Sequence, residues 1–326
     1  MILRLSPATA LLLAAPLPCF AQGHYATQVV SYVQGSGGGL FDPTLALGGP
    51  QGGGLGLGSL DVVTLGEQGS LTLGFDVEIV DGPGADLIVS ENAFAIGGTD
   101  QIFAEWMHVE VSSDGVSFAR FPSSYTGAGS EMGSGRGLAG GLPTLANVAT
   151  GGVPPTDPAL AGGEAFDLRD LAADPAVVGG SVDLGAIRYV RLVDVVSGDT
   201  DAAGTPLNPA GSADVDAVTV LNSHLDDLAL EPVLELELDA ANRILLTLGD
   251  PQGLFSLDPA SLRVSFDLIE VPADLLLNLF EVVALDGQQV VLRSPTLTGT
   301  GFVSAFGVSV TDLTGRRSGD QLMLQP

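Results

Sequence analysis

Hydrophobic positions along this chain recur with a period of two. Leu71, Leu73 and Phe75 alternate with Thr72 and Gly74, which predicts a half-buried strand over 71–75. A turn signal, Asp81-Gly-Pro-Gly84, precedes a predicted strand over 86–90. Residues 109–115 read as a strand entering an Asp-Gly turn, with 116–121 as the return strand of a hairpin. Residues 123–163 hold many Gly, Pro, Ser and Thr and little pattern, as in a long functional or mobile excursion. Strand-like patterns resume over 187–193 and 215–220.

A second unit starts after 224–227. Leu234, Leu236 and Leu238 alternate with Glu235, Glu237 and Asp239, and Leu262, Val264, Phe266 and Leu268 alternate with Arg263, Ser265 and Asp267. With 244–248, 290–292 and 302–310 this gives six or seven strands, the count of a small immunoglobulin-like sandwich acting as spacer or partner module. Helix is expected only over 167–173 and 272–280. The fold class is therefore all-β: a jelly-roll-like sandwich at 23–224 followed by a smaller immunoglobulin-like sandwich at 228–326.

Composition narrows the function. The 326 residues include 39 acidic and 11 basic ones, a net charge of −28, and every basic residue is arginine. Such an excess repels phosphate backbones and argues against nucleic acid as a partner. The N-terminus reads as a signal peptide over 1–21: Arg4, an apolar run, then Cys19-Phe20-Ala21 before a cleavage point near Ala21. Secretion or display at the cell surface follows as an expectation. The single cysteine, Cys19, lies inside that peptide, so no disulfide or cysteine-ligated zinc is expected in the exported chain. The most apolar later stretch, 275–285, is too short to span a bilayer and contains Asn278 and Glu281. No residue pattern fixes an oligomeric state.

Several motifs carry a family resemblance. Asp42-Pro43, Ala46-Leu-Gly-Gly-Pro50, Gly58-Ser-Leu-Asp-Val-Val63, Asp81-Gly-Pro-Gly-Ala-Asp-Leu87, Glu91-Asn-Ala-Phe94, Phe103-Ala-Glu105, Phe166-Asp-Leu168 and Tyr189-Val-Arg191 follow one another in order. Over 28–222 the chain resembles a group of exported bacterial cell-surface proteins, many known only as surface or sorting-signal proteins. It is also similar, less closely, to the discoidin or galactose-binding jelly roll. That resemblance implies binding of glycans, lipid headgroups or proteins, often beside a structural calcium. Where relatives end in Gly-Phe-Asp-Leu-Asp-Ala-Val, this chain has Ser212-Ala-Asp-Val-Asp-Ala-Val218 and keeps both acids.

Two constellations offer chemistry. Calcium wants six to eight oxygens. Asp86, Glu91 and Asn92 flank one strand, and Asp214 and Asp216 share a face at a spacing of two, so these five residues form the expected site if the two strands lie side by side. Asp81, Asp199 and Asp201 offer further oxygens, and the alternative is a solvated acidic rim. The second constellation is an aromatic platform. If Met107, Val109 and Val111 face the core, Trp106, His108 and Glu110 face outward, and a flat ring beside polar groups grips a sugar face. Against this, Trp106 can instead start the strand and tuck under a loop.

Catalysis is weakly signalled. The three histidines, His24, His108 and His224, show no metal-binding spacing, and no nucleophile elbow is present. The expected function is non-enzymatic: a secreted or cell-surface binding or adhesion protein, calcium-stabilised, with a glycan or surface polymer as ligand. The alternatives are a carbohydrate-active hydrolase or lyase using a carboxylate pair, involving Glu91 or Glu105, and a structural spacer without a ligand.

Overall fold

The computed structural model describes residues 24–97, 101–126, 132, 134–224, 232–251, 254, 257–272, 280–285, 288–296, 305–312 and 316–323. The expected signal peptide, most of the helix expected over 272–280 and the start of the strand expected over 302–310 lie outside them. The protein is nearly all β, with 46% strand and 5% helix. The expected helix at 167–173 reduces to a 3-10 turn, Leu168–Leu171, capped by the Asp167 carboxylate, which accepts from Arg169 N. Among the described residues no helix is long and apolar enough to cross a membrane.

The first unit contains β1 (Gln28–Val33), β2 (Val63–Thr64), β3 (Ser70–Ile79), β4 (Leu87–Glu91), β5 (Phe94–Ala95), β6 (Ile102–Phe103) and β7 (Met107–Ser112). It continues with β8 (Ala119–Arg120), β9 (Ser124–Tyr125), β10 (Gly135–Arg136), β11 (Leu138–Ala139), β12 (Glu164–Phe166), β13 (Ile187–Asp194) and β14 (Asp214–Val220). One sheet runs β1-β3-β13-β7-β11, with β8 also on β7; the facing sheet runs β12-β4-β14-β2. The chain thus passes repeatedly between the two sheets, among other places at β3–β4 and β13–β14, as in a sandwich. Leu71, Leu73, Val109, Val111, Val190 and Leu192 from one sheet meet Leu87, Val89, Val215 and Val218 from the other in one core. Period-two patterning explains this burial. Alternation is lost along β4 and β7, where every residue is buried, and the register shifts at bulges between Val29 and Ser31, between Ile187 and Tyr189 and between Val215 and Ala217.

The expected hairpin forms, with Glu110 opposite Arg120 across β7 and β8. The glycine-rich excursion is more ordered than its composition suggests. Its β11 adds to the edge of β7, with Leu138 opposite His108 and Ala139 opposite Met107.

The second unit contains β15 (Val233–Leu238), β16 (Ile244–Gly249), β17 (Leu257–Phe266), β18 (Ile269–Val271), β19 (Glu281–Leu285), β20 (Gln289–Arg293), β21 (Ala305–Asp312) and β22 (Arg317–Met323). Its sheets run β15-β16-β20-β19 and β18-β17-β21-β22 around a core of Leu234, Leu246, Val264, Phe306 and Val308.

The second unit docks on the excursion of the first. Asp157, 1% exposed, accepts from Ser309 Oγ at 2.8 Å and from Arg317 Nη1 at 2.7 Å. Gly307 and Gly319 let the backbones close: a Cβ at Gly307 would lie 2.8 Å from Ala159 Cα, and one at Gly319 would lie 2.6 Å from Pro158 Cγ. Arg317→Ala strips the buried Asp157 carboxylate of its cation. The expected cost is about 3 kcal/mol, at the low end for a broken buried pair because Arg317 is 35% exposed. Calorimetry should then resolve two unfolding transitions in place of one.

Candidate functional site

The five expected calcium ligands do not converge. Asp86 and Glu91 lie at opposite ends of β4. At the first end, Asp86 is fully buried and serves as a knot between chain segments. Its Oδ1 accepts from Gly82 N and from Asn222 Nδ2, both at 2.8 Å, and its Oδ2 accepts from Leu168 N at 2.7 Å. Burial raises its pKa well above the usual carboxylate range, against those three donors. Oxygens of Asp81, Asp86 and Asp167 lie within 4.8 Å of one another, so this end could also hold a cation.

Asp216 is separated from Asp214 by the bulge in β14. The register shift there breaks the period of two on which their shared face depended. Asp216 turns to Gln51 N, which lies 3.0 Å from each of its oxygens.

Three expected ligands do meet, at the second end of β4. Asp214 N donates to Glu91 Oε1 at 3.2 Å, and Asn92 Nδ2 donates to Asp214 Oδ2 at 3.3 Å and to Ser59 O at 3.2 Å. Glu91 is fully buried, and its Oε2 has no partner; neither has Asp214 Oδ1, nor the hydroxyls of Ser59 and Ser212. Glu105, which was foreseen only as an alternative catalytic acid, belongs to the same cluster. Burial, then Asp214 and Asp194, push its pKa up to about 8. Its Oε1 lies over Gly211, where any side chain would collide with it. Burial and then Glu105 raise the pKa of Glu91 in turn.

The aromatic platform is corrected by the structure. Trp106 is 1% exposed and packs with Ile102, Ala104, Tyr125, Leu138, Val195 and Leu207. The excursion causes this: β11 and its flanking glycines lie over the ring, and a Cβ at Gly135 or Gly141 would come within 3.3 Å of it. Glu110, expected to face a ligand, is instead closed off by two arginines. Arg120 Nε reaches its Oε1 at 2.7 Å, Arg191 Nε holds its Oε2, and Arg191 stacks 3.7 Å above the Phe118 ring. The register lines up Thr72, Arg191, Glu110 and Arg120 as a polar ladder across the outer face.

His108 alone of that trio borders open space. It forms part of a groove of about 530 Å³ lined with Gln68, Arg120, Asp194, Asp199 and Thr200. Its Nε2 lies 4.0 Å from Asp199 Oδ2, and its Nδ1 is buried without a partner. Burial, then Arg120, lower its pKa, which keeps the ring neutral. Asp194 accepts from Ala213 N at 2.9 Å and from Gln68 N at 3.2 Å, so one wall is fixed from behind. The groove therefore offers guanidinium donors, carboxylate and hydroxyl acceptors and one neutral imidazole, with no Phe, Tyr or Trp in its lining. Arg120, Asp199 and Thr200 carried no sequence signal for this role, because the groove joins a hairpin to a distant loop. No family model matches this chain, and no curated protein matches it.

Proposed function

We propose that the chain is a non-catalytic binding or adhesion protein of the cell exterior, with a glycan or similar polyhydroxylated surface polymer held in the His108 groove. The observation that carries this reading is the lining of that groove. Donors and acceptors from β7, β8, β13 and the neighbouring loops match the alternating hydroxyl groups of a sugar. Two acids at hand favour binding over turnover: Asp194 is held by the N–H groups of Ala213 and Gln68, and Glu110 is paired with Arg120 and Arg191. The signal-like N-terminus and the resemblance to exported surface proteins support the exterior location.

Retention on a panel of immobilised polysaccharides tests this, with released product assayed in parallel. Asp199→Ala removes an exposed acceptor at the groove wall and should weaken retention about tenfold, the loss of one hydrogen bond to a charged group. Product release would replace the reading with a hydrolase or lyase. No retention on any polymer, together with self-association, would replace it with a spacer.

A further inference from the structure

We propose that the end of β4 opposite Asp86 holds a calcium ion, ligated by the free carboxylate oxygens of Glu91 and Asp214. The site is separate from the His108 groove, which it adjoins through Asp194.

This end of β4 holds unmet hydrogen-bonding capacity. Glu91 Oε2 and Asp214 Oδ1 are buried oxygens without hydrogen-bond partners, although Thr64 and Asn92 serve the Asp214 carboxylate, and the buried hydroxyls of Ser59 and Ser212 are also without partners. Each such group left unsatisfied costs about 1–3 kcal/mol, more for a charge. The chain places Ser59 by the bond from Asn92 to its carbonyl, and Ser212 stands between Gly211, which lies on Glu105, and Asp214. A single hard cation beside Glu91 Oε2 and Asp214 Oδ1 would satisfy both oxygens; Glu105 is not a third ligand, because among the described residues only Asp81, Asp86 and Asp167 bring three such ligand atoms within 4.8 Å of one another. The charges acting most on Glu105 are other carboxylates, Asp214 and Asp194, so a cation would also relieve their repulsion. An irregular set of carboxylate and hydroxyl oxygens suits calcium, whereas magnesium demands a tight octahedron and gives up its water reluctantly.

The other acidic cluster lacks this signature. Asp81, Asp86 and Asp167 are closer together, but Asp86 already receives three donors and Asp167 caps the Leu168–Leu171 turn. The competing account of the Glu91 cluster is protonation: neutral acids would need no metal.

The test is calcium titration of the chelator-treated, full-length protein by calorimetry, with melting curves in calcium, magnesium and chelator at equal ionic strength. One ion should bind per chain. Calcium at a hundredfold excess over its Kd should raise Tm by roughly 5–10 °C, and magnesium much less. Glu91→Gln imitates the protonated acid, so it should fold in chelator at least as stably as the parent and lose the calcium response. Asp214→Asn should lose it as well, while Asp81→Asn should keep it. Identical parent melting curves in calcium and chelator would overturn the proposal in favour of protonated acids. Equal shifts from calcium and magnesium would overturn it in favour of general screening. A calcium response that survives Glu91→Gln but not Asp81→Asn would move the ion to the other end of β4.

Discussion

Trp106→Ala is expected to destabilise the first unit by about 3–5 kcal/mol, the range for emptying a large aromatic site in a core. The ring is 1% exposed, meets Tyr125 edge-on at 5.1 Å and fills the space beneath Gly135 and Gly141. Its loss would also loosen β11, whose Leu138 shares the same cluster. Trp106 Nε1 has no partner, so the ring stabilises through apolar contact alone. Trp106→Phe should therefore cost far less than Trp106→Ala, because it removes a buried unpaired donor along with part of the ring. Denaturant midpoints of the two variants measure the difference. Fluorescence offers a check on the parent, since this is the chain's single tryptophan. Emission should be shielded from a soluble quencher and unmoved by any polysaccharide that the protein retains. An accessible indole, or an alanine variant as stable as the parent, would restore the outward platform expected from the sequence.

The second large effect is an unusual dependence of stability on pH. Asp320 and Glu164 are both buried, and burial pushes the pKa of each up to about 8, although backbone N–H groups of Leu236 and Gln321 serve Asp320 and those of Gly140 and Gly141 serve Glu164. A carboxyl group whose folded pKa exceeds its unfolded value binds more protons when folded. Its stabilising contribution is complete below the unfolded pKa, near 4, and is lost as pH rises towards 8. Asp114 and Asp239 act oppositely. Backbone donors at Ser117 and Val116 hold the first below its ordinary value, and the Arg243 side chain does so for the second. Their contribution is present above pH 4 and is lost in stronger acid. Tm should therefore peak at roughly pH 4–5 and fall by roughly 5 °C or more by pH 8, measured in chelator at fixed ionic strength. Asp320→Asn combined with Glu164→Gln sacrifices one acceptor at each site, which lowers stability throughout, but should shrink the decline between pH 5 and 8. A Tm that rises over that interval, or a decline unchanged in the double variant, would contradict this account.

Sequence alone determined the class of fold and most of the core. Alternation at Leu71, Leu73 and Phe75, at Val109 and Val111 and at Leu234 and Leu236 fixes which face of each strand is apolar, and those residues are buried. Side-chain period is a local property of extended backbone, so it can be read without knowing which strands pair. Sequence also pointed to Glu91, Asn92 and Asp214 as neighbours, because a jelly roll pairs early with late strands and β4 does pair with β14.

What the sequence misplaced depended on non-local events. One extra residue in β14 separated Asp216 from Asp214, and a bulge of this kind leaves no mark in the hydrophobic pattern. Five residues of extended chain set Asp86 apart from Glu91, although both flank the same motif. Burial of Trp106 was decided by β11, from an excursion whose glycines carry no periodic signal and whose course follows only from the surface it covers. Glu105 and Ser212 entered the Glu91 cluster, and Asp199 the His108 groove, for the same reason. Tertiary structure alone brings such loop residues together, because polar side chains on loops have no period to reveal their neighbours.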